Sequence, residues 1–81
     1  MATKVFALST CPYCRMTKQY LEENAVQFDL VEVDQLSGDE RNSAIAEVKE
    51  LSGGTSFPVL VIGEEVVVGY NKKRIKELLD L

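Results

Sequence analysis

The chain has 81 residues, 46% of them hydrophobic, with nine basic and thirteen acidic side chains and a formal charge of −4. That length suits one core, so a single domain over residues 1–81 is expected. The acidic balance argues against binding a phosphate backbone, and no apolar run approaches the ~20 residues that cross a bilayer, so neither a nucleic-acid nor a membrane partner is expected.

Met1–Lys4 leads straight into a strand-like run without a leader of the usual length, which makes a cytoplasmic location the expectation. Lys4–Leu8 is apolar without polar alternation, as a central strand covered on both faces would be. Ser9 and Thr10 end it and offer capping oxygens. From Pro12 to about Asn24 the spacing turns helical, Pro12 being tolerated in a first turn. Tyr13, Met16, Thr17, Tyr20 and Leu21 form the expected inward stripe; Lys18, Glu22 and Glu23 face outward. Val26–Val33 reads as a second strand, with Phe28, Leu30, Val31 and Val33 as its apolar members. Ser37 and Glu40 have capping-box spacing before a helix that runs to about Leu51, with Ala44, Ile45, Val48 and Leu51 inward. Ser52-Gly53-Gly54-Thr55 stops it.

Val59–Ile62 and Val66–Val68 flank Gly63-Glu64-Glu65, a three-residue hairpin turn on this reading. Asn71 caps a last helix with Ile75, Leu78 and Leu79 inward. The cluster Lys72, Lys73, Arg74 and Lys76 on that helix is either a solvated face or a contact for an acidic partner. The order is β-α-β-α-β-β-α: a parallel βαβ unit followed by an antiparallel hairpin, with helices needed on both sheet faces.

Cys11 and Cys14 are the only cysteines, and there is no histidine. In a reducing compartment such a pair is a redox couple or part of a metal site rather than a structural staple. Cys11 stands where the first strand meets the first helix. Unpaired amide N–H groups and the helix dipole favour a thiolate there, and a lowered pKa makes sulfur both available and a good leaving group. Cys11 is therefore expected to attack a substrate disulfide. Cys14, inside the first turn, is expected to resolve the mixed disulfide. Pro12 stiffens the spacer, Tyr13 adds an aromatic surface, and Arg15 and Lys18 are positioned to add positive potential. The alternatives are incidental buried cysteines or metal binding. Zinc requires four ligands as a rule, so a metal would need a second chain, or external thiols around an iron–sulfur cluster. Phe57-Pro58-Val59 is either a simple strand entry or a cis-proline bend that leaves backbone groups open to an incoming chain.

Cys11-Pro12-Tyr13-Cys14 after a first strand, Ser56-Phe57-Pro58 before a hairpin and Gly69-Tyr70 after it resemble the glutaredoxin family of the thioredoxin-like fold over essentially the whole chain. The resemblance implies an α/β fold with a four-stranded mixed sheet in the order 2-1-3-4 and a cis Pro58 beside the cysteines. It implies a dithiol–disulfide oxidoreductase with Cys11 as nucleophile and Cys14 as resolving thiol, acting on protein disulfides or glutathione mixed disulfides. Glutathione would be a co-substrate rather than a bound cofactor, held in a groove of Tyr13, Phe57, Pro58, Gly69 and Tyr70. Leu8-Ser9-Thr10 lacks the lysine many members carry before the first cysteine, and Gly69-Tyr70-Asn71-Lys72 lacks the Gly-Gly and acidic anchor of glutathione-using members. The Gly-aromatic pair is similar to redoxins that serve ribonucleotide reductase and are recharged by thioredoxin reductase. Iron–sulfur transfer is a further alternative. No metal is expected at the site, and nothing demands more than a monomer.

Overall fold

Val5, Phe6 and Ala7 are buried because β1 (Thr3–Ala7) lies inside the sheet, not at its edge. The computed structural model describes residues 2–81; Met1, where the expected leaderless start and the 1–81 span begin, lies outside them. β1 pairs in parallel with β2 (Asp29–Glu32) and antiparallel with β3 (Val59–Ile62). β3 in turn pairs antiparallel with β4 (Glu65–Val68), giving one four-stranded sheet ordered β2-β1-β3-β4. With α1 (Pro12–Glu23), α2 (Gly38–Ser52) and α3 (Lys72–Leu79) flanking it, this is the thioredoxin-like α/β arrangement expected from the sequence.

Alternating side chains divide the core between the two faces. Val5, Ala7, Leu60, Ile62 and Val67 meet Cys14, Leu21 and Ile75 of α1 and α3. Phe6 and Val59 meet Val33, Ala44 and Val48 on the α2 side. Cys14 is thus a core residue as well as a member of the Cys-Pro-Tyr-Cys element.

Several expected details shift. The inward face of α1 is Cys14, Thr17 and Leu21, whereas Tyr13 and Met16 stand 62% and 45% exposed. The set that meets the sheet starts at Cys14 and recurs at three and seven residues, so the stripe is rotated by one position from the one led by Tyr13. Lys18 is correspondingly half-buried and pairs with Glu32 at 3.5 Å instead of facing outward. β2 is four residues long because β1 offers partners only from Lys4 to Ala7, and Val33 opens a 3₁₀ turn, Val33–Gln35. Ser37 precedes α2 but its side chain makes no capping bond, so the expected capping box does not close. The hairpin turn has two residues, since Ile62 pairs with Glu65. Gly63 takes φ +62° while Glu64 keeps a negative φ, the pattern of a type II′ turn with glycine first.

Two helix ends are set by capping. Asn71 accepts the Arg74 N–H at 3.2 Å, as expected. At the end of α1, Val26 N–H bonds Leu21 O and Ala25 N–H bonds Glu22 O, a Schellman motif with Ala25 at φ +56° where glycine is usual.

Candidate active site

The first strand ends at Ala7 and the chain reaches α1 within four residues, so Cys11 falls at the N-cap. The cap acceptor is the cysteine sulfur itself, which takes the Cys14 N–H at 3.4 Å, rather than the expected hydroxyl of Ser9 or Thr10. Cys11 N–H bonds back to Leu8 O at 3.2 Å, which closes the loop between strand and helix. Cys11 is half-buried and Cys14 fully buried, and both are free thiols.

That geometry separates the two sulfurs electrostatically. Partial burial pushes the Cys11 thiol up, but hydrogen bonds from the Cys14 thiol and from the Cys14 and Tyr13 backbone outweigh it, and the net shift is downward. Burial, its hydrogen bond to Cys11 and the Cys11 charge push the Cys14 thiol up to about 12, against weaker opposing pulls from the Leu8 backbone and Lys18. Cys11 therefore gives up its proton before Cys14, whose thiol donates toward the Cys11 sulfur. Such an arrangement presents one accessible nucleophilic sulfur with a second thiol in reserve behind it.

A neighbouring clamp was not visible in the sequence. Asp34 accepts the Ser9 N–H at 2.9 Å through Oδ1 and the Ser9 hydroxyl through Oδ2, and Gln35 Nε2 donates to Ser9 Oγ at 3.1 Å. The register explains it. Ala7 pairs with Glu32 across the parallel strands, so two residues further on Ser9 comes opposite Asp34. Asp34 thereby ties the loop before Cys11 to the end of β2. The Ser9 hydroxyl and N–H hold the Asp34 carboxyl below the ordinary aspartate value. The depressed value means that its stabilisation is present above the ordinary pKa and lost as pH falls through the folded one. The stability gap between wild type and Asp34→Asn should therefore narrow between about pH 6 and about pH 3 in thermal melts. A gap of constant size would show that the clamp carries no charge-dependent stabilisation.

The other residues singled out in the sequence occupy three places around the pair. Pro58 is buried after a cis Phe57–Pro58 bond, and its carbonyl accepts the Gly69 N–H at 2.7 Å. Gly69 does so at φ +82°, a conformation that side chains rarely adopt. Phe57 is half-buried and packs on the cluster that also receives Cys11 and Tyr70. Among the described residues, no hydrogen bond engages the backbone N–H or C=O of Phe57. Tyr70 turns its ring against Tyr20, with centroids 6.5 Å apart, and shares a hollow with Met16, Gln19 and Lys72. Lys72 Nζ lies 5.2 Å from the Tyr20 ring, so the element after β4 presents a cation at the place where an acidic anchor is absent. Tyr13 projects into solvent next to Cys11. No group of three or more His, Cys, Asp or Glu among the described residues is placed to hold a metal ion, and no described helix is long and apolar enough to cross a membrane.

Comparison with known proteins places this arrangement. The family model for glutaredoxin matches residues 3–67. An uncharacterized glutaredoxin-like 8.6 kDa protein in the rubredoxin operon of Clostridium pasteurianum is 32% identical over 78 residues, spanning 95% of this chain and 96% of that one. Among solved structures, the glutaredoxin of Archaeoglobus fulgidus superposes with a TM-score of 0.92 at 41% identity, over 98% of this chain and 87% of its own. The methanoredoxin of Methanosarcina acetivorans superposes with a TM-score of 0.94 at 34% identity, over 99% and 85% of the two chains.

Proposed function

This chain belongs to the glutaredoxin family and is a thiol–disulfide oxidoreductase, and we propose that Cys11 is its attacking thiolate, Cys14 its resolving thiol, and protein disulfides its substrates. The observation that carries the assignment is the asymmetry of the pair: the accessible Cys11 sulfur is held below its ordinary pKa while the buried Cys14 thiol is held at about 12.

The steps follow from that asymmetry. Cys11 thiolate attacks one sulfur of the substrate disulfide; the other sulfur leaves as a thiolate, and a mixed disulfide joins Cys11 to the substrate. The Cys11 charge is now gone. Two of the causes that raise Cys14, the hydrogen bond to Cys11 and the Cys11 charge, depend on it. Cys14 then loses its proton more readily, attacks the Cys11 sulfur and expels the second substrate thiolate. Two electrons pass to the substrate and the protein ends with a Cys11–Cys14 disulfide. The neutral form of Cys14 thus lasts until the first bond has formed, which suppresses premature competition between the thiols.

Glutathione is the reductant this reading assigns. The unengaged backbone of Phe57 supplies a donor and an acceptor for the glutathione cysteinyl backbone, and Tyr13 stands exposed close to Cys11 in the sequence. A second reading has thioredoxin reductase as the reductant and ribonucleotide reductase among the substrates. Gly69-Tyr70 followed by the cation Lys72 favours it. The two are separated by giving the oxidised protein either glutathione or NADPH with thioredoxin reductase. Sustained turnover with glutathione is expected, and rapid reduction by the reductase alone would replace glutathione with the second reading.

A further inference from the structure

A hollow of about 140 Å³ opens on the α2 side of the sheet, its lining including Leu8, three residues before Cys11, and Phe57, next to Pro58. Its walls are Leu8, Val33, Ile45, Val48 and Phe57, with Asp34, Arg41 and Thr55 completing the lining. Two of its lining residues link it to the redox element. The Leu8 carbonyl receives the Cys11 N–H at 3.2 Å, and Phe57 immediately precedes Pro58 and packs with Cys11 on the same cluster. Its size is close to the ~150 Å³ at which an apolar protein cavity accepts a benzene-sized guest.

We infer that this hollow is a specificity pocket for an apolar side chain next to the attacked half-cystine of a protein substrate, a reading that rests on protein disulfides being the substrate. An extended segment pairing with the open Phe57 backbone runs along the wall of the hollow, and its side chains alternate toward and away from that wall. The chemistry of the hollow selects leucine, isoleucine, methionine or phenylalanine. Against Leu8, Val33, Ile45, Val48 and Phe57 a polar side chain would lose its water without a partner, and only Asp34, Arg41 and Thr55 of the lining offer one.

Charge at the edge narrows the occupant further. Arg41 is exposed and forms no ion pair among the described residues. Both Asp34 carboxylate oxygens are already engaged by Ser9. A carboxylate close to the apolar residue of the substrate therefore has Arg41 to meet. Glutathione has no apolar side chain to fill the hollow, although its carboxylates could also meet Arg41, so it is the apolar walls that distinguish protein substrate from reductant.

The test uses the full chain and peptides with one intramolecular disulfide, in which leucine or glycine occupies each of the two positions on either side of the attacked half-cystine. At one of these positions kcat/KM is expected to favour leucine by about tenfold or more, the scale on which a well-formed apolar pocket discriminates. Ile45→Ser should bring that ratio close to one. The ratio is read within each variant, so a general loss of folded protein cancels. Arg41→Gln, at an exposed site, should cost about threefold at low salt for a peptide with an aspartate next to the leucine, and less for its asparagine counterpart. Equal rates for leucine and glycine at every position would overturn the pocket while leaving the oxidoreductase reading intact. A leucine preference unchanged by Ile45→Ser would overturn it too. Failure to reduce any peptide would overturn the protein-disulfide reading and the pocket with it.

Discussion

Cys11→Ser is expected to reduce disulfide turnover to background, a loss of about a thousandfold or more, because an alcohol oxygen forms no disulfide and serine at neutral pH supplies no comparable nucleophile. The fold should survive the change. Cys11 is the N-cap of α1 and its sulfur accepts the Cys14 N–H, a task that a serine hydroxyl performs at least as well. A melting temperature equal to or above that of the reduced wild type, together with absent activity, is the expected pair of results. Retained turnover in Cys11→Ser would refute the assignment of the nucleophile.

Cys14→Ser should fail differently. The first attack remains possible, because the Cys11 sulfur stays accessible and a serine hydroxyl can still donate to it. The resolving step is lost, so a covalent adduct between Cys11 and the substrate protein accumulates and turnover on protein disulfides falls by about a hundredfold or more. Mass spectrometry of the non-reduced digest should place the substrate on the peptide containing Cys11. Added glutathione can attack the same mixed disulfide from solution, so the loss should be smaller on glutathione mixed disulfides than on protein disulfides. An equal loss on both would show that Cys14 does more than resolve.

The parts of the molecule that could be read in the sequence are those set by local chemistry. The apolar run of β1, the glycine stop after α2, the Asn71 cap and the Cys-Pro-Tyr-Cys element at a helix start each depend on a few adjacent residues. The parts that depend on register could not. Ser9 meets Asp34 only because Ala7 pairs with Glu32, and nothing in either segment announces that alignment. The rotation of α1 has a similar origin. Tyr13 and Met16 have the spacing of a buried stripe, yet the sheet receives Cys14 instead and leaves them exposed. Cysteine counts weakly in a pattern of apolar residues, and here it is a core member as well as a redox group. The hairpin turn is one residue shorter than the sequence suggests because Glu65, an acidic side chain on an exposed strand position, has the character of a loop residue. The pocket beside Phe57 collects residues from the loop after β1, the 3₁₀ turn, α2 and the segment before β3, a grouping that exists only once the sheet order is known.

The central claim is that the start of α1 and the Cys14 hydrogen bonds lower the pKa of the Cys11 sulfur and so favour its thiolate. Thiolate absorbance of the reduced Cys14→Ser protein, titrated against pH, tests it most directly because only one sulfur remains. A midpoint clearly below the ~8.5 of a free cysteine is expected. A midpoint at or above that value would contradict the account.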